Sequence, residues 1–160
     1  MGSQAAVVRQ ARRTLSGPAG VPLGPLQPAQ QVGALPWRRR DGELQILLVT
    51  SRASRRWLIP KGWPIRNLVD SNAAKQEAFE EGGVEGCIRR EPMGRFTYVK
   101  RIGGGTRLCQ VTVYPLLVQR ELPDWPERLE RARQWFDRVE AAGKVQEPEL
   151  AALILDFTAP

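Results

Sequence analysis

From residue 31 onward, apolar residues come in short runs separated by Gly, Pro and charged clusters. Gln31–Pro36 reads as a first strand, and Gly42 ends the turn after it. Leu44–Ser51 (LQILLVTS) is a continuous apolar run, the form of a buried strand. Trp57–Pro60 predicts a short extended piece, followed by a loop from Lys61 to Asn67. A helix then starts at Asp70 or Ser71, either able to cap it, and runs to about Glu81, where Gly82-Gly83 can end it. Val84–Arg90, Gly94–Lys100 and Arg107–Val118 predict strands, the last two joined in a hairpin by Gly103-Gly104-Gly105. Glu127–Ala142 predicts a helix stopped by Gly143 and anchored by Trp125, Trp135 and Phe136, and Pro148 opens a final helix to about Phe157. Helices alternating with groups of strands, some in hairpins, predict an α/β fold with a mixed sheet.

Residues 1–30 differ from the rest. They contain no Asp or Glu, and Pro18, Pro22, Pro25 and Pro28 preclude a continuous helix. The expectation is a flexible basic tail over 1–30, with a short helix near Val7–Leu15, and one domain over 31–160. An Arg-rich, acid-poor start is also the composition of an organelle transit peptide, but the Arg9, Arg12, Arg13 cluster is short and a disordered leader is expected.

Composition narrows the chemistry. The net charge of +7 attracts polyanions: nucleotides, inositol polyphosphates, RNA or an anionic membrane face. No apolar run reaches the ~20 residues that span a bilayer. Cys87 and Cys109 form no CxxC pair, so they predict two small buried or half-buried thiols in a reducing, cytoplasmic setting. The absence of histidine excludes Ser-His-Asp and Cys-His catalysis and every His-containing zinc site. A metal would be held mainly by oxygen, which favours Mg²⁺, Mn²⁺ or Ca²⁺.

The segment KGWPIRNLVDSNAAKQEAFEEGGV, residues 61–84, concentrates that chemistry. At ~100° per residue, Glu77, Glu80 and Glu81 share about one third of the helix circumference, with Phe79 pointing away onto the core. Like charges three and four residues apart repel by a few tenths of a kcal/mol per pair. A hard divalent cation reverses that cost; a solvated acidic face avoids it, and the three glutamates alone fit both equally. Gly62 lets the backbone approach a metal or phosphate closely, and Lys61 supplies a point charge for phosphate.

The flanking order resembles the Nudix hydrolase signature, Gly-x5-Glu-x7-Arg-Glu-φ-x-Glu-Glu-x-Gly-φ, in which φ is aliphatic. Gly62, Glu77, Glu80, Glu81, Gly83 and Val84 match it without a gap, and Ala78 takes the small apolar position. Two positions depart: Leu68 stands at the first glutamate and Gln76 at the arginine, which in the family orients a glutamate by a salt bridge. Gln76 can replace the hydrogen bond but not the charge. Outside this box, QVGALP at 31–36, LLVTSR at 47–52, RWLIPKG at 56–62, WPERLERARQWF at 125–136 and EPEL at 147–150 are similar to the diphosphoinositol polyphosphate and diadenosine polyphosphate phosphohydrolase branch, in its bacterial form.

The resemblance implies an α/β/α sandwich around a mixed sheet and Mg²⁺- or Mn²⁺-dependent pyrophosphate hydrolysis of a polyphosphorylated small molecule. It implies Glu77 and Glu81 as primary metal ligands, Glu80 as a third ligand, direct or through water, and the Lys61 carbonyl as a backbone ligand. The general base stays open between Glu77 and a loop carboxylate, with Glu80 beside it in the catalytic set and Glu121, Asp124 and Glu127 unranked. Arg52, Arg56 and Lys61 are the phosphate-binding candidates, then Arg95, Lys100 and Arg101, although a solvated surface role fits any one of these as well. Trp57 and Tyr98 can stack on a base, with core packing preferred for both. Three other readings stay open: a phospholigand-binding module without turnover, an RNA 5′-end pyrophosphohydrolase, and a nucleic-acid-binding protein, which no stacking-platform motif supports. Oligomeric state is left open.

Overall fold

The computed structural model describes residues 27–160, so the helix expected near Val7–Leu15 lies outside the described residues. The chain forms β1 (Ala29–Arg40), β2 (Glu43–Thr50), β3 (Trp57–Leu58), β4 (Lys61–Gly62), α1 (Asp70–Gly82), β5 (Val84–Ile88), β6 (Gly94–Ile102), β7 (Gly105–Glu121), β8 (Arg133–Asp137), α2 (Arg138–Lys144) and α3 (Pro148–Asp156). The strands make one mixed sheet of eight. β1 lies parallel to β7 from Ala29↔Cys109 to Trp37↔Leu117, and the other pairings are antiparallel.

The apolar runs are explained by cover on both faces. In β1, Leu35 and Trp37 enter one core cluster while Val32 and Ala34 enter the other. In β2, Ile46 and Leu48 go one way and Leu47 the other. Ala73, Ala74 and Ala78 of α1 cover one face, and Ala141, Leu150 and Ile154 of α2 and α3 cover the opposite face. The result is an α/β/α sandwich.

β1 and β2 pair only from Trp37↔Ile46 to Arg40↔Glu43 and then diverge. Val49 of β2 pairs with Leu58 of β3 and also with Arg133 of β8, so β3 and β8 occupy opposite edges of β2. β4 pairs with β1 through Val32↔Gly62 and Gly33↔Lys61. Residues 57–62 therefore fill the fork between β1 and β2, beneath α1.

Several elements differ from expectation. β1 begins at Ala29, two residues inside the expected tail, and continues to Arg40. No helix covers 127–142: residues 126–130 form turns, β8 follows, and α2 begins only at Arg138. The helix-forming composition loses to sheet pairing, because β2 has an open edge that β8 completes, with Phe136 in one core cluster and Trp135 against the other. Gly143 lies within α2, whose start is capped by the Asp137 carboxylate accepting from the Glu140 N–H at 2.8 Å. α1 has Val69 at its N-cap with no side-chain cap, so Asp70 acts through its charge in the first turn rather than as the cap. Gly83 ends α1 at φ 62°, where its N–H reaches the Ala78 and Phe79 carbonyls. Cys87 is exposed and Cys109 buried.

The inward face of α1 is also unusual. Glu77, Glu80 and Glu81 are buried, while Phe79 is half-buried, outside both core clusters, in a shallow surface depression beside Lys75 and Gln76. Phe79→Ala is expected to cost under about 1 kcal/mol, whereas Ile154→Ala, fully buried, costs about 2–5 kcal/mol. Urea unfolding of the two variants checks the ranking.

α3 is tied to β6 through Glu149, whose Oε1 accepts from the Thr97 hydroxyl at 2.7 Å and the Thr97 N–H at 3.0 Å. These bonds, the hydroxyl's first, hold the exposed carboxyl below its usual pKa. A depressed folded-state pKa contributes stability at neutral pH that disappears as pH falls through it. Glu149→Gln should thus lower the unfolding midpoint slightly at pH 7 and converge on wild type in acid. An equal difference at both ends of the titration would contradict this.

Candidate active site

The fork residues and α1 build the site together. The Pro60 carbonyl accepts from the Ala34 N–H at 3.0 Å, which with the β4 pairing fixes Lys61 and Gly62 against β1. Above them the Glu81 Oε2 accepts from the Lys61 N–H at 3.3 Å. A Cβ at Gly62 would lie 2.3 Å from both Cδ and Oε1 of Glu77. Glycine at 62 is therefore the space in which the Glu77 carboxylate sits. Glu77, Glu80 and Glu81 are 3%, 6% and 5% exposed, which removes the solvated-face reading of the helix.

A cleft of about 690 Å³ opens over this arrangement. Glu77 and Glu81 line it with Lys61 and Gly62, and Arg52, Arg56, Lys100, Arg101 and Arg131 supply cationic walls. Glu80 is outside the lining: its carboxylate accepts from Gln76 Nε2 at 3.2 Å, and its carbonyl accepts from the Glu127 N–H at 3.1 Å. The hydrogen bond expected of Gln76 is present, without a charge. Leu68, at the other departing position, packs on the α1-side core cluster.

The Lys61 ammonium stands 4.4 Å from the centroid of the Tyr98 ring. Burial pushes its pKa down to about 8, and the Glu81 charge opposes that shift. The Tyr98 hydroxyl donates to Gln31 Oε1 at 2.5 Å, and burial raises its pKa. Tyr98 and Trp57 both pack on the core, as preferred from the sequence, and Trp57 meets Phe136 edge-on at 5.2 Å.

The expected phosphate-binding arginines have protein partners. Arg56 pairs with Glu147 at 2.5 Å in a largely buried contact, which explains the EPEL segment at the start of α3. Arg52 pairs with Glu130 at 3.5 Å at the surface. Lys100 lies 5.2 Å from the Trp63 ring, while Arg95 is exposed and outside the cleft lining. Of the unranked acids, Glu127 is buried beside α1; Asp124 is exposed near Arg128, and Glu121 bonds Arg38 and Trp135. Arg131 and Trp63 were not foreseen. Reading 127–142 as a helix concealed Arg131, whose partners are distant in sequence.

Among the described residues, no three acidic or thiol side chains are already gathered into a metal cage. Two carboxylates at the mouth of a phosphate-sized cleft are nevertheless the protein share of a typical Mg²⁺ shell, which water and substrate oxygens complete. Glu77 and Glu81, with the space left by Gly62, fit that role in donor chemistry.

No family profile matches the chain. Nudix hydrolase 16, mitochondrial, of Arabidopsis thaliana is 30% identical over 130 residues, covering 72% of this chain and 72% of that protein. The chain belongs to the Nudix hydrolase family. A second Nudix-type relative, diphosphoinositol polyphosphate phosphohydrolase 3-beta of Bos taurus, is 36% identical over 110 residues, covering 67% of this chain and 63% of that protein. The Nudix fold is matched by the C. elegans Ap4A hydrolase in its binary complex, with TM-score 0.58 and 19% identity, covering 78% of this chain and 91% of that one. This Nudix chain spans about half the length of other curated relatives, 53% and 51% of Arabidopsis thaliana Nudix hydrolases 13 and 12. Among the described residues no helix is long and apolar enough to cross a membrane.

Gly62→Ala should drive the Glu77 carboxylate out of its present position, because no rotation of the new methyl group avoids it. A crystal structure of the variant checks this, and an unmoved Glu77 would contradict the account.

Proposed function

We propose that this Nudix chain hydrolyses a phosphoanhydride bond in a polyphosphorylated small molecule, using Mg²⁺ or Mn²⁺. The observation that carries the reading is the pair Glu77 and Glu81 opening into one cationic cleft beside a glycine that leaves the Glu77 carboxylate room. Glu77 and Glu81 hold the cation with the Lys61 carbonyl, and Glu80, steadied by Gln76, contributes from behind, directly or through water. What the cation supplies when bound is charge on the phosphate oxygens and a more acidic water. Glu77 or a loop carboxylate would take the proton of the water that attacks phosphorus, while the bridging P–O bond breaks and the leaving phosphate carries away its electron pair. The Lys61 ammonium, Arg56 and Arg52 hold the phosphates that do not react, since phosphoryl transfer depends chiefly on positioning and charge.

The substrate class is a diphosphoinositol or diadenosine polyphosphate. Support comes from the cationic lining and from the names of two similar proteins, the bovine phosphohydrolase and the C. elegans Ap4A hydrolase. The domain that begins with β1 at Ala29 carries this activity, and the basic residues before it serve as a tail. The free cysteines suit a reducing cytoplasm. A binding module without turnover is the competing reading, favoured by Leu68 and the uncharged Gln76.

The test is turnover of diadenosine tetraphosphate, a diphosphoinositol polyphosphate, ADP-ribose and 5′-triphosphate RNA with Mg²⁺ or Mn²⁺. Hydrolysis of one of the first two is expected, with Glu81→Gln slower by roughly 100-fold. Binding of these compounds without hydrolysis would establish the binding module instead, and preferential cleavage of the RNA would replace the substrate class. Equal rates in the variant would remove Glu81 from the site.

A further inference from the structure

The last turn of α1 carries Glu80 and Glu81 and no basic residue, so two buried acids stand at the negative end of the helix dipole. The signature's cation at position 76 is missing, and the glutamine there gives Glu80 a neutral bond only. Buried carboxylates are tolerated where donors and cations are brought to them. The chain meets this need from residues 125–133. Trp125 donates through Nε1 to the Glu81 carbonyl at 3.2 Å, and the Glu127 N–H donates to the Glu80 carbonyl at 3.1 Å, docking the segment on the end of α1. Arg133 then donates to the Gly82 and Gly83 carbonyls at 3.0 and 3.1 Å.

Arg131 is delivered by this docking. Its Nη2 donates to Glu81 Oε1 at 3.2 Å, its Nε to Glu127 Oε1 at 3.0 Å, and its Nη1 to the Thr50 carbonyl at 3.0 Å. Contacts in three directions fix the plane of a rigid guanidinium fork. With the Lys61 N–H on Oε2 and Arg131 on Oε1, both oxygens of Glu81 are oriented. The Arg131 side chain is 10% exposed and belongs to the cleft wall.

We infer that Arg131 is the positioning residue for Glu81, supplying from a loop the cation that position 76 of the helix does not carry. This rests on the proposed metal role of Glu77 and Glu81, and it adds a partner that holds a ligand in place and that the linear signature does not contain.

Three full-length variants test it: Arg131→Gln, Gln76→Arg and the double variant. Mn²⁺ affinity is read by titration with electron paramagnetic resonance, thermal melting reports the fold, and kcat is read on whichever substrate the wild type turns over. Arg131→Gln should lose roughly 10–100-fold in Mn²⁺ affinity and in kcat, the usual range for a residue that hydrogen-bonds a metal ligand. The double variant should recover at least about tenfold of the lost Mn²⁺ affinity, because an arginine at position 76 again gives the carboxylates of this helix end an orienting fork. Gln76→Arg alone should gain less than about threefold in Mn²⁺ affinity, since the need is already met. Mn²⁺ affinity of Arg131→Gln within threefold of wild type would overturn the inference, and so would a double variant no better than Arg131→Gln. If Arg131→Gln does not melt as a folded protein, Gln76→Arg alone decides: a gain of about tenfold would show a site still short of a cation and sink the idea. A wild type that binds Mn²⁺ but hydrolyses nothing in the panel removes the hydrolase reading, while the affinities still decide the role of Arg131.

Discussion

Acidic side chains buried at the wrong end of a helix are the constraint on which this structure turns. Glu80 and Glu81 occupy the last turn of α1, where the dipole and the loss of water both oppose their charge. A helix of this kind cannot be a free-standing unit. It needs donors brought from elsewhere, and they come from the strand below and from the segment after β7. The Lys61 N–H, Trp125, Arg131 and Arg133 all converge on residues 80–83. The long excursion between β7 and β8 is thereby explained as the counterpart of α1 rather than as a connector.

The fork between β1 and β2 provides the other half of the arrangement. Strands that stayed paired along their whole length would leave no place for residues 57–62 in the sheet. Because they diverge beyond Ile46, β3 and β4 can hydrogen-bond to opposite sides of the opening, and the backbone at Lys61-Gly62 lies directly under the acids. Backbone held by a ladder is precise in a way a free loop is not. The missing side chain at Gly62 then matters as much as the carboxylates, since any Cβ would occupy the position of Glu77.

Much of this was legible in the sequence, and the boundary is instructive. The spacing from Gly62 to Val84 carries its own geometry, since glycine, acids and closing glycine are separated by fixed helical steps. The apolar runs likewise declared β1 and β2. What the sequence could not disclose depends on partners far along the chain. Residues 133–137 have helix-forming neighbours but take strand form because β2 offers an edge. Phe79 has the character of a core residue yet is displaced outward, because the inward face of α1 is occupied by alanines and glutamates. Arg131 carries no local mark at all; its meaning comes from Thr50 and Glu81. Arg56 reads from the sequence as a bare cation, and its partner Glu147 lies far along the chain.

That last pairing bears on how several cations are held close together in one cleft. Six cationic side chains line the opening against two carboxylates, a balance that would repel itself if every charge were bare. Three of the arginines are neutralised by protein acids: Arg52 by Glu130, Arg56 by Glu147 and Arg131 by Glu81. These pairs differ in how readily they part. Arg52 and Glu130 are about half exposed and 3.5 Å apart, so water and salt already weaken them. Arg56 and Glu147 are mostly buried, and separating them would strand a desolvated carboxylate. The Arg52 pair is therefore the more readily exchanged of the two, while Arg56 stays with Glu147. The protein's own acids thus grade the cationic lining, from an exposed pair at Arg52 to largely buried pairs at Arg56 and Arg131.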